Sequence, residues 1–535
     1  MIVLRLVTLT CLAFSWAFSA PQTGLGRIHF PTSQTGEAQQ LFLKGVLLLH
    51  SFQYVEARQH FQAAQKAAPN FALAYWGEAM TYNEPLWFAQ DTTSARAVLA
   101  RAPKGKPLSQ READYMEAVQ ILYSEGSKEE RDFRYAEAMR RMYERYPDDH
   151  EAGAFYALAL LGTAHRGRDF RIYMKAAAIA EEILAQNPEH PGALHYAIHC
   201  YDDPVHAPLG LRAARVYAKV APESSHALHM PSHIFFAMGM WDDAVRSNED
   251  AFRASERSAQ RTRQPMEAGG YHALWWLQYA YLQQGRFADA RKTLQTMERL
   301  ASGDPRPLAR FHHVQMRVMF AVETGEAYDS SPDLEAIDAP AVAAHHFARG
   351  MSSLHRGDQQ EAERALQGIR SLGAGASTGT HHHQNAHIYP GDAQVIAIME
   401  NELAAMLAMA NGKSKEAIAL MKSAVATEDK TPYEFGPPSP PKPAHELLGE
   451  MLLSLGQPRL ARVQFELALL RAPKRALSLL GLARAFESMS DVAAARRSYS
   501  ELRQIWSRAD KEILKALDES LERLQSTPGG RPSVP

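Results

Sequence analysis

A period of about 34 residues constrains this chain more than any other feature. Residues 38–71 contain the run GVLLLHSFQYVEARQHFQAAQKAAPN. Counted from 38, Gly45, Tyr54, Ala57, Phe61, Ala64 and Pro69 take positions 8, 17, 20, 24, 27 and 32. The register returns with Gly449, Ala461, Phe465, Ala468 and Pro473 in 442–475, and with Gly350, Gly357 and Ala362 in 343–370. It returns again with Gly412, Ala417 and Ala424 in 398–431, and with Ala495 and Tyr499 in 476–509. This spacing sets small residues where two helices touch, an aromatic in the gap between them and a proline where the second helix stops. Such a helix pair cannot bury its apolar face alone, so it must stack on copies of itself. Leu, Ala, Glu, Gln, Arg and Met dominate the periodic segments and favour helix. No run of alternating β-branched residues asks for a sheet. The chain is predicted to be all-α.

The pattern resembles the tetratricopeptide repeat across most of residues 36–510. The resemblance implies a right-handed superhelical solenoid of helix pairs with a concave groove. It also implies that positions 2, 5, 9 and 12 of each unit's first helix face that groove. The expected organisation is N-terminal repeats over 36–190, histidine-rich repeats over 191–330, and a repeat with a histidine-rich loop over 331–397. C-terminal repeats follow over 398–510, then a helix end and disordered tail over 511–535. Insertions are expected at 86–132, 200–212 and 371–392, where the register is imperfect.

Gly239 and Ala244 set the register of the unit containing HALHMPSHIF, and put His226, His229 and His233 at positions 2, 5 and 9. Pro188 sets the unit before it, placing His195 at 5, His199 at 9 and Asp202 at 12. Gly285 sets the unit after it, placing His272 at 2, Trp275 at 5 and Tyr279 at 9; His312 takes position 2 one unit later. Six of the nine positions of type 2, 5 or 9 across these three units carry histidine. With 23 histidines in 535 residues, chance predicts fewer than one.

Two imidazoles four residues apart on one helix can hold a single cation. His195/His199 and His229/His233 are two such pairs on neighbouring helices, with Asp202, Asp203, His226 and His272 close by. Neutral imidazole suits zinc, copper or iron, and a carboxylate completes a common ligand set. Tyr196, Tyr201 and Glu223 are available to orient ring nitrogens. The leading expectation is a transition metal, or a metallocofactor, held in the groove. Two alternatives stand beside it. One is a scaffold holding a protein or peptide partner without metal. The other is a metal-dependent hydrolase or oxidase, with Glu223 or Glu267 as base. Pro231 either kinks the histidine helix or starts it; in the second case His226 and His229 fall on an approach loop.

Other features are weaker. THHHQNAH at 380–387 is a loop that binds metal loosely or is merely solvated. His345 and His346, at positions 3 and 4, read as packing or rim residues, and Trp275, Trp276 and Tyr279 read as packing. Glu446 and Glu450, at positions 5 and 9, read as solvated carboxylates. Cys200 points away from His199, so a Cys–His dyad is not expected. No protease zinc helix, nucleophile elbow or phosphate loop is present.

The first residues, MIVLRLVTLTCLAFSWAFSA, carry one Arg before an apolar run that ends in small residues. This reads as a signal peptide over 1–19, and hence as a periplasmic or secreted protein. Cys11 leaves with it and Cys200 remains alone, so no intramolecular disulfide is expected. No later stretch reads as a transmembrane segment. A formal charge of -2 offers no basic excess for nucleic acid. The phrases HYAIH, HALHMPSHIF and FGPP also resemble a group of exported bacterial tetratricopeptide proteins. That resemblance implies fold and export, and transfers no catalytic residue.

Overall fold

The structure, a computed structural model, describes residues 24–526 except 106, 264, 330, 377–390 and 434. The metal-loop candidate at 380–387 and the leader at 1–19 lie outside the described residues. Within them, helices follow one another from Gly36–His50 to Lys511–Ser526. Among the described residues the only strands are Asn83–Glu84 and Ala89–Gln90, a short antiparallel pair. The molecule is an all-α helical repeat solenoid.

The repeat positions explain the packing. Phe61, at position 24, is fully buried between helices Gly36–His50 and Ala72–Met80. A Cβ at Gly45 or Gly77 would collide with its ring, so only glycine lets both neighbours close on it. Phe465 repeats the arrangement with Gly449 and Gly481. One aromatic thus locks three helices, and truncating it to alanine costs about 3–5 kcal/mol. Helix starts are held by side chains. Ser109 and Ser127 form capping boxes with Glu112 and Glu130. Asp149, Asp169, Asp338 and Asp491 accept from first-turn N–H groups.

Three expectations change. The stretch expected as an insertion at 86–132 is largely helical, with Thr92–Ala100 and Gln110–Leu122. Lys511–Ser526 is a full helix, because Leu517 and Leu524 bury against the preceding pair. One helix, Asp392–Ala410, is long and apolar enough to cross a membrane by length and composition, although no such segment was expected. Its apolar residues are shared between two repeat cores: Val395, Ile396, Met399 and Leu403 in one, Ile398, Ala405 and Ala408 in the next.

The C-terminal repeats fold back onto the central ones. Trp241 Nε1 donates to the Lys474 carbonyl at 3.1 Å, and Trp506 Nε1 donates to the Gln283 carbonyl at 3.0 Å. Between them Arg475 is fully buried, paired with Glu446 and Glu323 at 2.7 Å each. Glu446 is therefore a buried ion-pair partner and not a solvated carboxylate. Lys442 also pairs with it at 2.9 Å and with Glu450 at 2.6 Å.

Candidate metal centre

The central repeats bring six histidines into one ribbon. His195 and His199 lie on helix Pro191–Cys200, which starts at Pro191 with His190 Nδ1 accepting the Ala193 N–H. His226 and His229 lie on the short helix Ser225–His229, capped by Ser224. His233 lies on Pro231–Ala237 and His272 on Ala268–Gln283. Pro231 is the first residue of its helix, as one alternative held, but the approach is helical. Met230 keeps α-helical angles (φ -53, ψ -36), and its N–H donates to the His226 carbonyl at 2.9 Å. The four-residue pairing of His229 with His233 survives the proline.

Distances along the ribbon are short. His195 Nε2 lies 3.0 Å from both His199 Nε2 and His226 Nε2. His229 Nε2 lies 3.1 Å from His233 Nε2. The His229 and His272 rings meet edge to face at 4.8 Å, and those of His199 and His233 at 5.4 Å. The nitrogens of His195, His199 and His226 all lie within 4.8 Å of one another, as do those of His229, His233 and His272. These groups are close enough to hold a metal ion.

The outer nitrogens decide the chemistry. Asn248 commits its amide N–H to the Ala244 carbonyl at 2.9 Å, which leaves Oδ1 to accept from His229 Nδ1 at 2.7 Å. His233 Nδ1 donates to Asp202 Oδ2 at 2.5 Å. His195 Nδ1 donates to the His50 carbonyl at 2.6 Å. Each Nδ1 therefore carries the proton, and each Nε2 presents a lone pair inward. His229 and His233 aim two lone pairs at each other across 3.1 Å. Two ligand nitrogens on one zinc-sized ion sit roughly 3.3 Å apart, so the pair is spaced for a cation. A shared proton would create a buried imidazolium, which desolvation opposes. Burial, reinforced by the neighbouring imidazoles, holds His195, His199, His226, His229 and His272 well below the usual histidine range.

Aromatic rings close the site. The Phe52 ring covers His195 at 4.3 Å, and Trp276 lies 4.4 Å from His233 and 4.9 Å from His229. Phe435, on the proline-rich approach to helix Ala444–Ser454, stacks over His233 at 5.3 Å. Gly436 beside it has φ +92 and its backbone presses on the Trp276 ring, where a Cβ would not fit. Four of the six imidazoles are buried, and His226 and His272 are partly buried. This stretch is not an open trough for an extended peptide.

Not every expected residue joins. Asp203 lies outside the ribbon, because its carboxylate takes His206 Nδ1 at 2.9 Å and the Val205 and His206 N–H groups, with Arg168 at 3.4 Å. Asp202 serves through His233. Glu223 and Glu267 are exposed and belong to neither group. Tyr196 orients a histidine, but it is His50, at 2.9 Å. His312 is buried and bonds the Leu308 carbonyl at 2.8 Å; burial lowers it to about 4. Tyr279 packs and its hydroxyl accepts from Arg475, and His345 bonds Tyr328, so both are packing residues. Cys200 is buried, which pushes its thiol up.

Sequence reasoning missed Asn248, Phe52, Phe435 and a second cluster of His50, Glu151 and His190. Asn248 had a signal. It takes position 24 of its unit, where Phe61 and Phe465 sit in theirs.

The glycine–phenylalanine–glycine sandwiches and the stacked pairs decide the repeat type. The packing of the helix pairs is tetratricopeptide-like. A scan of protein-family profiles and a search of curated proteins each returned no match. Among solved structures, a tetratricopeptide repeat protein from Parabacteroides merdae is similar at 13% identity and TM-score 0.29, over 56% of this chain and 99% of that one. Yeast Tom70 is similar at 12% identity and TM-score 0.33, over 91% and 95%. The human IFIT1 dimer with m7Gppp-AAAA is similar at 13% and 0.37, over 89% and 91%.

Proposed function

We propose that this chain is an exported tetratricopeptide-like solenoid that binds a transition-metal ion through its histidine ribbon. The observation that carries the reading is the His229–His233 pair. Asn248 and Asp202 fix both tautomers, so two lone pairs face each other at 3.1 Å in a buried site. That arrangement is unfavourable until a cation sits between them. Zinc, copper and iron all accept imidazole donors. Export rests on the apolar leader at 1–19. Hydrolase or oxidase chemistry at the ribbon receives no support from a carboxylate base, since Glu223 and Glu267 stand apart. The test is elemental analysis of the purified, dialysed protein. Retained metal that vanishes in His229→Ala/His233→Ala supports the reading; no metal and no uptake on addition defeats it.

A second reading, a protein-binding scaffold, has one specific observation behind it. Helix Pro458–Arg471 exposes Leu460, Val463, Leu467 and Leu470 at 55%, 39%, 37% and 68%. Spacings of three and four put them on one face. A partner on that face would be lost on Leu460→Glu/Leu467→Glu, with the metal content unchanged.

A further inference from the structure

The histidine ribbon is built twice by the same rule. His195 and His199 take positions 5 and 9 of one unit, and His226 takes position 2 of the next. One repeat later, His229 and His233 take positions 5 and 9, and His272 takes position 2 of its successor. Each trio has two buried imidazoles four residues apart and one less buried imidazole from the following helix. Each has a lone-pair nitrogen locked from behind, by the His50 carbonyl in one and by Asn248 and Asp202 in the other. Each is roofed by an aromatic ring, Phe52 in one and Trp276 in the other. A third copy would need positions 5 and 9 of the next unit, and these are Trp275 and Tyr279. His312, at position 2 beyond them, is left with the Leu308 carbonyl. The array therefore stops at two.

We infer that the protein binds two transition-metal ions, one per trio, in sites related by one repeat of the solenoid. This rests on the metal-binding reading above. One ion shared between the trios, held by His199, Asp202 and His233, would draw Asp202 away from the proton of His233 Nδ1, where it now makes a 2.5 Å contact. Two ions leave that contact intact and use the Nε2 lone pair of His195 in one trio and those of His229 and His233 in the other.

The experiment uses the full chain, stripped with chelator, loaded separately with zinc and with copper(II), passed through a desalting column and assayed for bound metal. Two equivalents of at least one ion are expected. His226→Ala and His272→Ala should each retain one equivalent, and the double variant none. These residues are the least buried of the six, and His226→Gln and His272→Gln serve if either alanine variant loses its helical circular dichroism. One equivalent in the wild type overturns the two-site inference and leaves the metal reading standing, as does loss of all metal in either single variant. No retention of either ion overturns the metal reading itself.

Discussion

Two histidine clusters share one core, and only one of them is unfinished. His50, Glu151 and His190 are all fully buried. Glu151 accepts from His50 Nε2 at 2.7 Å and from His190 Nε2 at 3.2 Å. His50 Nδ1 then accepts the Tyr196 hydroxyl at 2.9 Å, and His190 Nδ1 accepts the Ala193 N–H at 3.1 Å. Every ring nitrogen has a partner of the opposite role. His229 and His233 have the same residue type and nearly the same burial, yet their Nε2 atoms offer only lone pairs to each other. The same side chains make a closed network in one place and an open one in the other. Burial does not separate them; the count of protons against lone pairs does. A closed polar network specifies the fold, and an open one waits for a ligand.

The sharpest way to break this contrast is to open the closed cluster. Burial pushes the Glu151 carboxyl up, but His190 and His50 outweigh it and hold it well below the usual range. Glu151→Gln replaces one acceptor oxygen by an amide N–H that faces another N–H donor. Such a change should cost about 3–5 kcal/mol of stability, read as a lower midpoint in denaturant. Metal stoichiometry of the folded fraction should stay at the wild-type value. A stable Glu151→Gln protein that has lost its metal would reverse the roles assigned to the two clusters.

Acid should act on the open cluster next. His195, His199, His226, His229 and His272 are held below the ordinary histidine range by burial, so the folded protein keeps them neutral. The unfolded chain titrates them near 6.5 and binds more protons than the folded one below that pH. Stability is then fully present above about 6.5 and falls as the pH drops, by up to about 1.4 kcal/mol per unit for each histidine. Bound metal, which needs the neutral ring, is expected to leave over the same window. Thermal unfolding and metal content measured from pH 7.5 to 5 should fall together. Metal content flat across that range would count against imidazole ligation.

How much of this was legible before folding depends on what each residue reports locally. The helix pairs were legible because glycine, alanine and phenylalanine recur at a fixed period, and that period is the packing. The ribbon was legible because positions 5, 9 and 2 lie on the groove stripe whatever the neighbouring units do. Asp202 was legible by its position, but His50 O and Phe435 were not, since they reach the ribbon only through tertiary contact. Glu446 was misjudged for the same reason. Its position says groove, but Arg475 at the start of the next helix pair meets it, and the return of these repeats onto Tyr279 and Glu323 buries the pair. Asp203 looked equivalent to Asp202 by spacing. One residue further along, it instead caps the turn at Val205 and His206.

Asn248 gives the smallest and most specific test. The repeat places Phe61 and Phe465 at its position, and the slot is apolar in both. Here an amide fills it and is fully buried, with one end on the Ala244 carbonyl and the other on His229 Nδ1. Asn248→Leu restores the apolar filling that the repeat favours. It also removes the acceptor that fixes the His229 tautomer, leaving Ser232 Oγ at 3.4 Å as a poor substitute. The gain in packing and the loss of the hydrogen bond are each about 1–2 kcal/mol, so stability should stay within about 1 kcal/mol of wild type. Metal affinity at the second trio should fall by about 10–100-fold, measured by competition with a chelator of known strength, while the first trio keeps its ion. If Asn248→Leu binds metal as tightly as wild type, then the tautomer lock is ordinary core hydrogen bonding, and the open cluster differs from the closed one in geometry alone.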